Sequence, residues 1–313
     1  MTLIGRPRIG AEVAQGLSLT GWRGGSVQAR PGFAERPEAA SDAGLVLVTV
    51  KSADTQAAAQ ALRPHLMPGA LVVSFQNGVG NAQVLERDLG RSVLAGMVGF
   101  NVAALGQGRF HQGTEGVLHL ARANGLPLDL FARAGLAPVL HDDMAPVLWA
   151  KLLLNLNNAV NALSGLPLRE ELSQRAYRRC LALAQDEALV LLAMAGQPLA
   201  RLSPLPARWI PAALRLPDAL FRVLAGRMLR IDPLARSSMA DDLARGRRPE
   251  IDWINGEVLR LAARLGHGAP VNARLCALIE QATSGTRVSG PDLLAQLQAV
   301  SRARDLPRAA HRR

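Results

Sequence analysis

Lysine is almost missing from this 313-residue chain: of 36 basic residues only Lys51 and Lys151 are lysines, and the rest are arginine. With 25 acidic residues the formal charge is +11. A basic excess usually raises nucleic-acid binding, but these arginines are scattered, and 4% aromatic residues leave little to stack on bases. An arginine bias this uniform reads as composition rather than a binding footprint, so no nucleic-acid partner is expected. The two cysteines, Cys180 and Cys276, form no C-x-x-C pair or metal-ligand spacing. No metal is expected, and a reduced, cytoplasmic protein is the simple reading. The longest apolar run, Ala188–Gly196, is about half of what spans a bilayer, and the first residues lack a signal-peptide core. Neither membrane insertion nor secretion is expected.

What is present suffices for folded cores: 49% hydrophobic and 19% charged residues exclude disorder over most of the chain. At about 150 residues per domain the length suggests two. Over residues 1–143, short apolar strands alternate with helical patterns. Strands are expected at Thr2–Ile4, Leu45–Val50, Leu71–Phe75 and Val93–Ala104, with more between Gly106 and His141; helices are expected at Asp54–Leu66 and Ala82–Leu89. That βαβ alternation predicts a parallel, doubly wound sheet. Over 144–297 the pattern is helical: Met144–Leu163, Glu170–Gly196, then, after the Pro-rich stretch 204–217, Leu220–Leu229, Pro233–Ala244, Trp253–Leu265 and Pro270–Thr283. The fold class is therefore α/β followed by all-α. Residues 298–313 read as a basic, disordered tail.

The helix from Met144 is apolar except for Lys151, Asn155 and Asn158, whose spacings of four and three place them within about 60° of one another on a helix. Such a polar stripe either meets water or needs partners. The rarity of lysine favours a task at Lys151, because a compact ammonium can release a proton and a guanidinium cannot. A second polar cluster runs Arg236-Ser237-Ser238 and then Arg247-Arg248-Pro249-Glu250. It reads either as a serine-capped helix start with a charged turn or as a hydroxyl and a carboxylate at a cleft. In the first half Arg6 and Lys51 follow strands, and Gln76-Asn77-Gly78 follows another; strand ends are where open α/β sheets bind ligands, although Asn-Gly is also a common turn.

These segments taken in order, IGR at 4–6, LVLVTVKS at 45–52, SFQNGVGN at 74–81, WAKLLLNLNN at 149–158, RSSMADDLARGRRPEIDWINGE at 236–257 and APVN at 269–272, resemble the ketopantoate reductase (2-dehydropantoate 2-reductase) family. The resemblance covers about residues 2–285. It implies a Rossmann-type domain and a helical substrate or dimerisation domain with the active site between them. The implied reaction is NADPH-dependent reduction of ketopantoate to pantoate, on the route to pantothenate and coenzyme A. The pattern does not fix the oligomeric state, and a homodimer is expected only from exposed helical surface. A related 2-oxo acid is the nearest alternative substrate.

The resemblance also implies roles. Arg6 and Lys51 look like the holders of the adenosine 2′-phosphate, and Asn77 like the asparagine beside the nicotinamide. Lys151 looks like the general acid and Glu250 like the carboxylate that orients it. Asn155 and Ser238 look like substrate hydrogen-bonders, with either Asn158 or Asn161 filling a further asparagine slot. One departure is plain: the family opens with a strand, a Gly-x-Gly-x-x-Gly turn and a helix, and TLIGR at 2–6 resembles the second strand instead. About 25 residues of a βα unit are thus expected to be missing, either through a start assigned too far downstream or because the chain is a non-catalytic remnant serving as a scaffold.

Overall fold

The computed structural model describes residues 1–21, 24–224, 226 and 235–305. It divides into two compact units, with the boundary between Met144 and Ala145.

The N-terminal unit runs β1 (Thr2–Ile4), α1 (Pro7–Ala14), β2 (Leu17–Gly21), β3 (Ser26–Ala29), β4 (Gly32–Ala34), β5 (Leu45–Val48), α2 (Thr55–Leu62), β6 (Leu71–Ser74), α3 (Asn81–Leu89), β7 (Leu94–Val98), β8 (Val102–Gly106), β9 (Arg109–Gln112), β10 (Leu118–Ala121), α4 (Leu128–Arg133) and β11 (Val139–His141). The main sheet has the order β11-β10-β7-β6-β5. Strands β5, β6 and β7 are mutually parallel, as are β10 and β11, while β10 runs antiparallel to β7. Alternation along β6 explains its central place. Val72 packs with Val48, Ala59, Leu62 and Leu85 on one face, and Val73 packs with Leu118, Leu120 and Phe131 on the other. A strand buried on both faces must be continuously apolar, which is why LVVS is legible in the sequence.

Two smaller sheets complete this unit. One is the parallel pair β1-β4 and the other has the order β3-β2-β9-β8. Among the described residues no ladder joins β1 to β5, and the apolar side chains there are open to solvent, with Ile4 40% and Leu47 43% exposed. Both strand pairs are parallel, so the Rossmann-type sheet is divided at this point into β4-β1 and the five strands from β5 onward.

The sequence patterns misled in several places. The expected single strand Val93–Ala104 is two strands in different sheets. The chain turns at Gly99, where a Cβ would stand 2.5 Å from the Val117 carbonyl oxygen, and an apolar run cannot reveal that change of sheet. The expected helix Asp54–Leu66 is regular only over Thr55–Leu62 and ends in a 3₁₀ turn at Arg63–His65, since Pro64 cannot continue the ladder.

In the C-terminal unit the order is α5 (Ala145–Asn155), α6 (Asn157–Ser164), α7 (Leu168–Ser173), α8 (Arg175–Met194), α9 (Ile210–Leu214), α10 (Asp218–Leu224), α11 (Ser238–Ala244), α12 (Ile251–Arg264), α13 (Pro270–Gln281) and α14 (Gly290–Asp305). Helix α8 is its axis, with α6, α7, α9, α12, α13 and α14 packed around it. Cys180, Ala184, Ala188 and Leu191, spaced by about one turn, are fully buried, and their mostly small side chains let neighbouring helices approach closely. Arg178 is also buried, held by the carbonyls of Leu172, Leu214 and Leu216, by Asp218, and by the face of Phe221. No helix among the described residues is long and apolar enough to cross a membrane.

Three helical expectations are corrected. Met144–Leu163 is two helices that meet at Leu156, and Glu170–Gly196 is α7 and α8, separated where Gln174 takes extended angles (φ −97°, ψ 117°). Residues 298–305, assigned to a disordered tail, belong to α14, because Leu293, Leu294 and Leu297 on that helix are buried against its neighbours. Residues 306–313, the end of the expected helix Leu220–Leu229 and the start of Pro233–Ala244 lie outside the described residues.

Candidate active site

The sequence-predicted residues fall on both units: Arg6, Lys51 and Asn77 on the first, and Lys151, Asn155, Asn158, Ser238 and Glu250 on the second.

On the first unit all three sit just beyond C-terminal strand ends. Arg6 follows β1, is 81% exposed, and pairs with Asp54 at 2.9 Å. Lys51 precedes the 3₁₀ turn Ser52–Asp54 that follows β5. Asn77 is exposed in the loop after β6, where Gly78 takes φ +90°, a value that disfavours any side chain. A buried polar network fixes these loops. Gln76 Nε2 donates to the Val50 carbonyl at 3.0 Å and to Thr55 Oγ1 at 2.7 Å, and its Oε1 accepts from Ser74 Oγ at 3.0 Å. Asn81 Nδ2 donates to Ser52 Oγ at 3.0 Å and to the Asn77 carbonyl at 2.5 Å. Gln76 was named in the sequence only as part of Gln76-Asn77-Gly78, and Asn81, Ser52 and Thr55 were not singled out. Their only signal there is a run of polar residues where two apolar strands end.

On the second unit Lys151 and Asn155 share α5, and Asn158 follows on α6. Leu156 at the junction keeps helical angles (φ −57°, ψ −21°) and is fully buried, so the two helices continue with one irregular residue between them. Burial pulls the Lys151 ammonium below its ordinary lysine pKa. Among the described residues no hydrogen bond or ion pair engages the side chains of Lys151, Asn155 or Asn158. A desolvated amine without a protein partner is costly unless it serves a ligand.

Asn161 has a different place. It is fully buried, with Nδ2 on the Leu166 carbonyl at 3.0 Å and Oδ1 accepting from the Ser237 N–H at 2.9 Å. Its polar atoms are committed inside the protein, which leaves Asn158 as the asparagine available to a ligand. Ser237 is the N-cap of α11: Oγ accepts from the Ala240 N–H at 3.1 Å and donates to the Asn158 carbonyl at 3.2 Å. Ser238, the first helical residue, is exposed. The serine-capped helix start expected for this cluster is thus present at Ser237, and the neighbouring Ser238 faces outward. Glu250, half-buried, occupies the N-cap position of α12, and its carbonyl accepts from the Trp253 N–H at 3.1 Å.

A dinucleotide would find part of what it needs. Two cations stand at strand ends, suited to a phosphate. The pyrophosphate is less well served: α1 opens with Arg6-Pro7 directly after β1, and the sequence holds no Gly-x-Gly-x-x-Gly turn to offer backbone N–H groups at a helix N-terminus. Arg6 and Lys51 thus fit a phosphate group of such a cofactor. No group of three or more His, Cys, Asp or Glu among the described residues could hold a metal ion.

A Rossmann-type sheet followed by an all-helical unit carrying a half-buried lysine is the layout of a two-domain dehydrogenase. The family described as ketopantoate reductase PanE/ApbA matches residues 1–125, and its C-terminal counterpart matches 143–283. The chain belongs to the ketopantoate reductase family. It is 31% identical over 245 residues to a 2-dehydropantoate 2-reductase of Pyrobaculum aerophilum, covering 77% of this chain and 78% of that one. It also superposes, with a TM-score of 0.75 and 31% identity, on a PanE/ApbA family ketopantoate reductase from Ralstonia eutropha, covering 95% of this chain and 91% of that chain. A D-mandelate dehydrogenase solved with NADH and anilino(oxo)acetate shares the fold, with a TM-score of 0.72 at 17% identity over 96% of this chain and 91% of that one.

Proposed function

We propose that this chain reduces the C2 ketone of ketopantoate to the alcohol of pantoate with NADPH, a cytoplasmic step toward pantothenate and coenzyme A. The observation that carries the reading is Lys151, a half-buried amine with no partner among the described residues, on α5 with Asn155 and followed by Asn158 on α6. When bound, the cofactor supplies a hydride. The protein's own part is electrostatic and protonic. The Lys151 ammonium donates a hydrogen bond to the ketone oxygen, stabilises negative charge as it develops there, and passes its proton to that oxygen. A depressed pKa makes the proton easier to release, and a dry setting strengthens the bond. Asn155 and Asn158 offer amide hydrogens to the substrate's carboxylate and hydroxyl, Ser238 offers a hydroxyl from the start of α11, and Glu250 orients the lysine. On the other unit Arg6 and Lys51 bind the 2′-phosphate, with Asn77 at the nicotinamide end. The working form is a homodimer.

The test is NADPH consumption by the purified protein with ketopantoate. Substrate-dependent turnover that disappears in Lys151→Ala supports the proposal, and absence of turnover at saturating cofactor and substrate overturns it. A panel of other 2-oxo acids belongs in the same assay, because the D-mandelate dehydrogenase shares the fold. One observation favours a second reading: the division of the sheet between β1 and β5 suits a scaffold without catalysis. That reading predicts dimers that bind no NADPH.

A further inference from the structure

Behind Asn158 lies a buried carboxylic acid that the proposed chemistry does not use. Glu171, on α7, is fully buried. Its Oε2 accepts from Asn157 Nδ2 at 3.0 Å and from Asn161 Nδ2 at 3.4 Å. The other ends of these side chains are left over: Glu171 Oε1 and Asn157 Oδ1 are both buried, and neither has a hydrogen-bond partner. Two acceptors cannot satisfy each other, and a buried acceptor left bare is expensive. One proton on Oε1 resolves both vacancies. Glu171 would then donate to Asn157 Oδ1 while Asn157 Nδ2 donates to Glu171 Oε2, closing an acid–amide ring with every polar atom paired.

We propose that Glu171 is held as a neutral carboxylic acid, paired head to tail with the Asn157 amide, and that this pair is the positioning element for the asparagines of α6. The surroundings agree. Helix α6 (NNAVNALS) brings no ionisable group. From α8, Tyr177 and Cys180 face the carboxyl, and each has its own pKa raised in part by it. Arg178 on the same helix is committed to three carbonyls and Asp218 rather than to Glu171. Among the described residues no cation compensates a carboxylate here, and burial pushes the Glu171 acid up to about 8 despite its amide donors. The connection to the site is short. Glu171 holds Asn161, Asn161 holds the Ser237 N–H, and Ser237 holds the Asn158 carbonyl. One acid thus sets the backbone from which Asn158 and Ser238 project. This last step rests on the substrate-binding role proposed for those two residues; the protonation state does not.

The test compares Glu171→Gln and Glu171→Ala with the wild type, using the full chain. Glutamine supplies one acceptor and one donor, as the neutral acid does, so it should keep the thermal midpoint at pH 7. Alanine leaves both asparagines short of a partner and should lower it. A native pKa of about 8 against an ordinary 4.5 means that the folded state binds the extra proton. The stability of wild type relative to Glu171→Gln should therefore fall between about pH 4.5 and pH 8 and stay level above. An infrared carboxylic-acid C=O band at neutral pH, missing from Glu171→Gln, should report the proton directly. If turnover is observed, Glu171→Ala should raise the ketopantoate KM about tenfold with little change in kcat, and Glu171→Gln should not. A glutamine variant as unstable as the alanine one, or no acid band and no differential slope with pH, overturns the protonated pair. The stability and infrared measurements need no turnover, so they stand even if the reductase reading fails. An unchanged KM in Glu171→Ala, in an active enzyme, overturns the positioning role alone.

Discussion

Arg6, just beyond β1, donates to Asp54 at 2.9 Å, in the turn beyond β5, so an exposed ion pair links two strands that share no backbone ladder among the described residues. An exposed pair contributes about 0–1 kcal/mol, so it does little to hold the sheets together and is easily displaced by an anion.

That competition is measurable. Asp54→Asn should tighten NADPH binding by roughly fivefold, by freeing Arg6 and removing a repelling charge, while Arg6→Ala should weaken it by a similar factor. NADH, which lacks the 2′-phosphate, should respond to neither change. Cofactor fluorescence titrations decide this, and equal effects on both cofactors would remove Arg6 from phosphate binding.

Lys151→Ala should lower kcat by about a hundredfold or more, as expected for loss of a general acid. Lys151→Arg should not restore it, because a guanidinium keeps its proton. The lowered pKa of the buried ammonium carries a sign for stability too. Below the ordinary lysine value the folded state binds fewer protons than the unfolded chain, so burial of this amine destabilises at neutral pH and the cost fades as pH rises. Lys151→Met should therefore be inactive yet melt higher, by a few degrees, or about 1 kcal/mol. A methionine variant that melts lower would mean that the amine has a stabilising partner.

Removing one member of the Gln76 network should be costly, because its partners are buried. Gln76→Leu leaves the Val50 carbonyl and the Ser74 hydroxyl without their bonds and should cost about 1–3 kcal/mol, read from the denaturant midpoint. NADPH affinity should fall with it, since the same bonds fix the loops bearing Lys51 and Asn77.

His119 on β10 and His141 on β11 stack at 5.1 Å, with Nδ1 of the first 2.8 Å from Nε2 of the second. Burial, and then the second ring, lower the His119 pKa below 6.5. The folded state thus binds fewer protons there, and stability is full above pH 6.5 and is lost as pH falls through the lowered value. His119→Gln should flatten that acid limb in a melt-versus-pH series; an unchanged limb would place the acid sensitivity elsewhere.

The sequence by itself determined what depends on neighbours along the chain. The continuous apolar runs of β5 and β6 required buried parallel strands, and the scarcity of lysine singled out Lys151 within an apolar helix. Caps were legible too, because Ser237 and the N–H it accepts are three residues apart. The helix and three strands between Pro7 and Ala34 were not, since strands such as β3, fully exposed along its length, carry no apolar alternation. Only the tertiary structure decided the rest. It divided the parallel sheet between β1 and β5, broke the lysine helix at Leu156, and committed the Asn161 side chain to internal hydrogen bonds while engaging that of Asn158 in none among the described residues. It also gave Glu171, one of two adjacent glutamates, a buried place while its neighbour Glu170 stayed exposed. The reason is physical: the bonds that separate these residues join positions as far as 79 apart in the chain, and desolvation, which raises the pKa of Glu171 and lowers that of Lys151, exists only once the helices have packed.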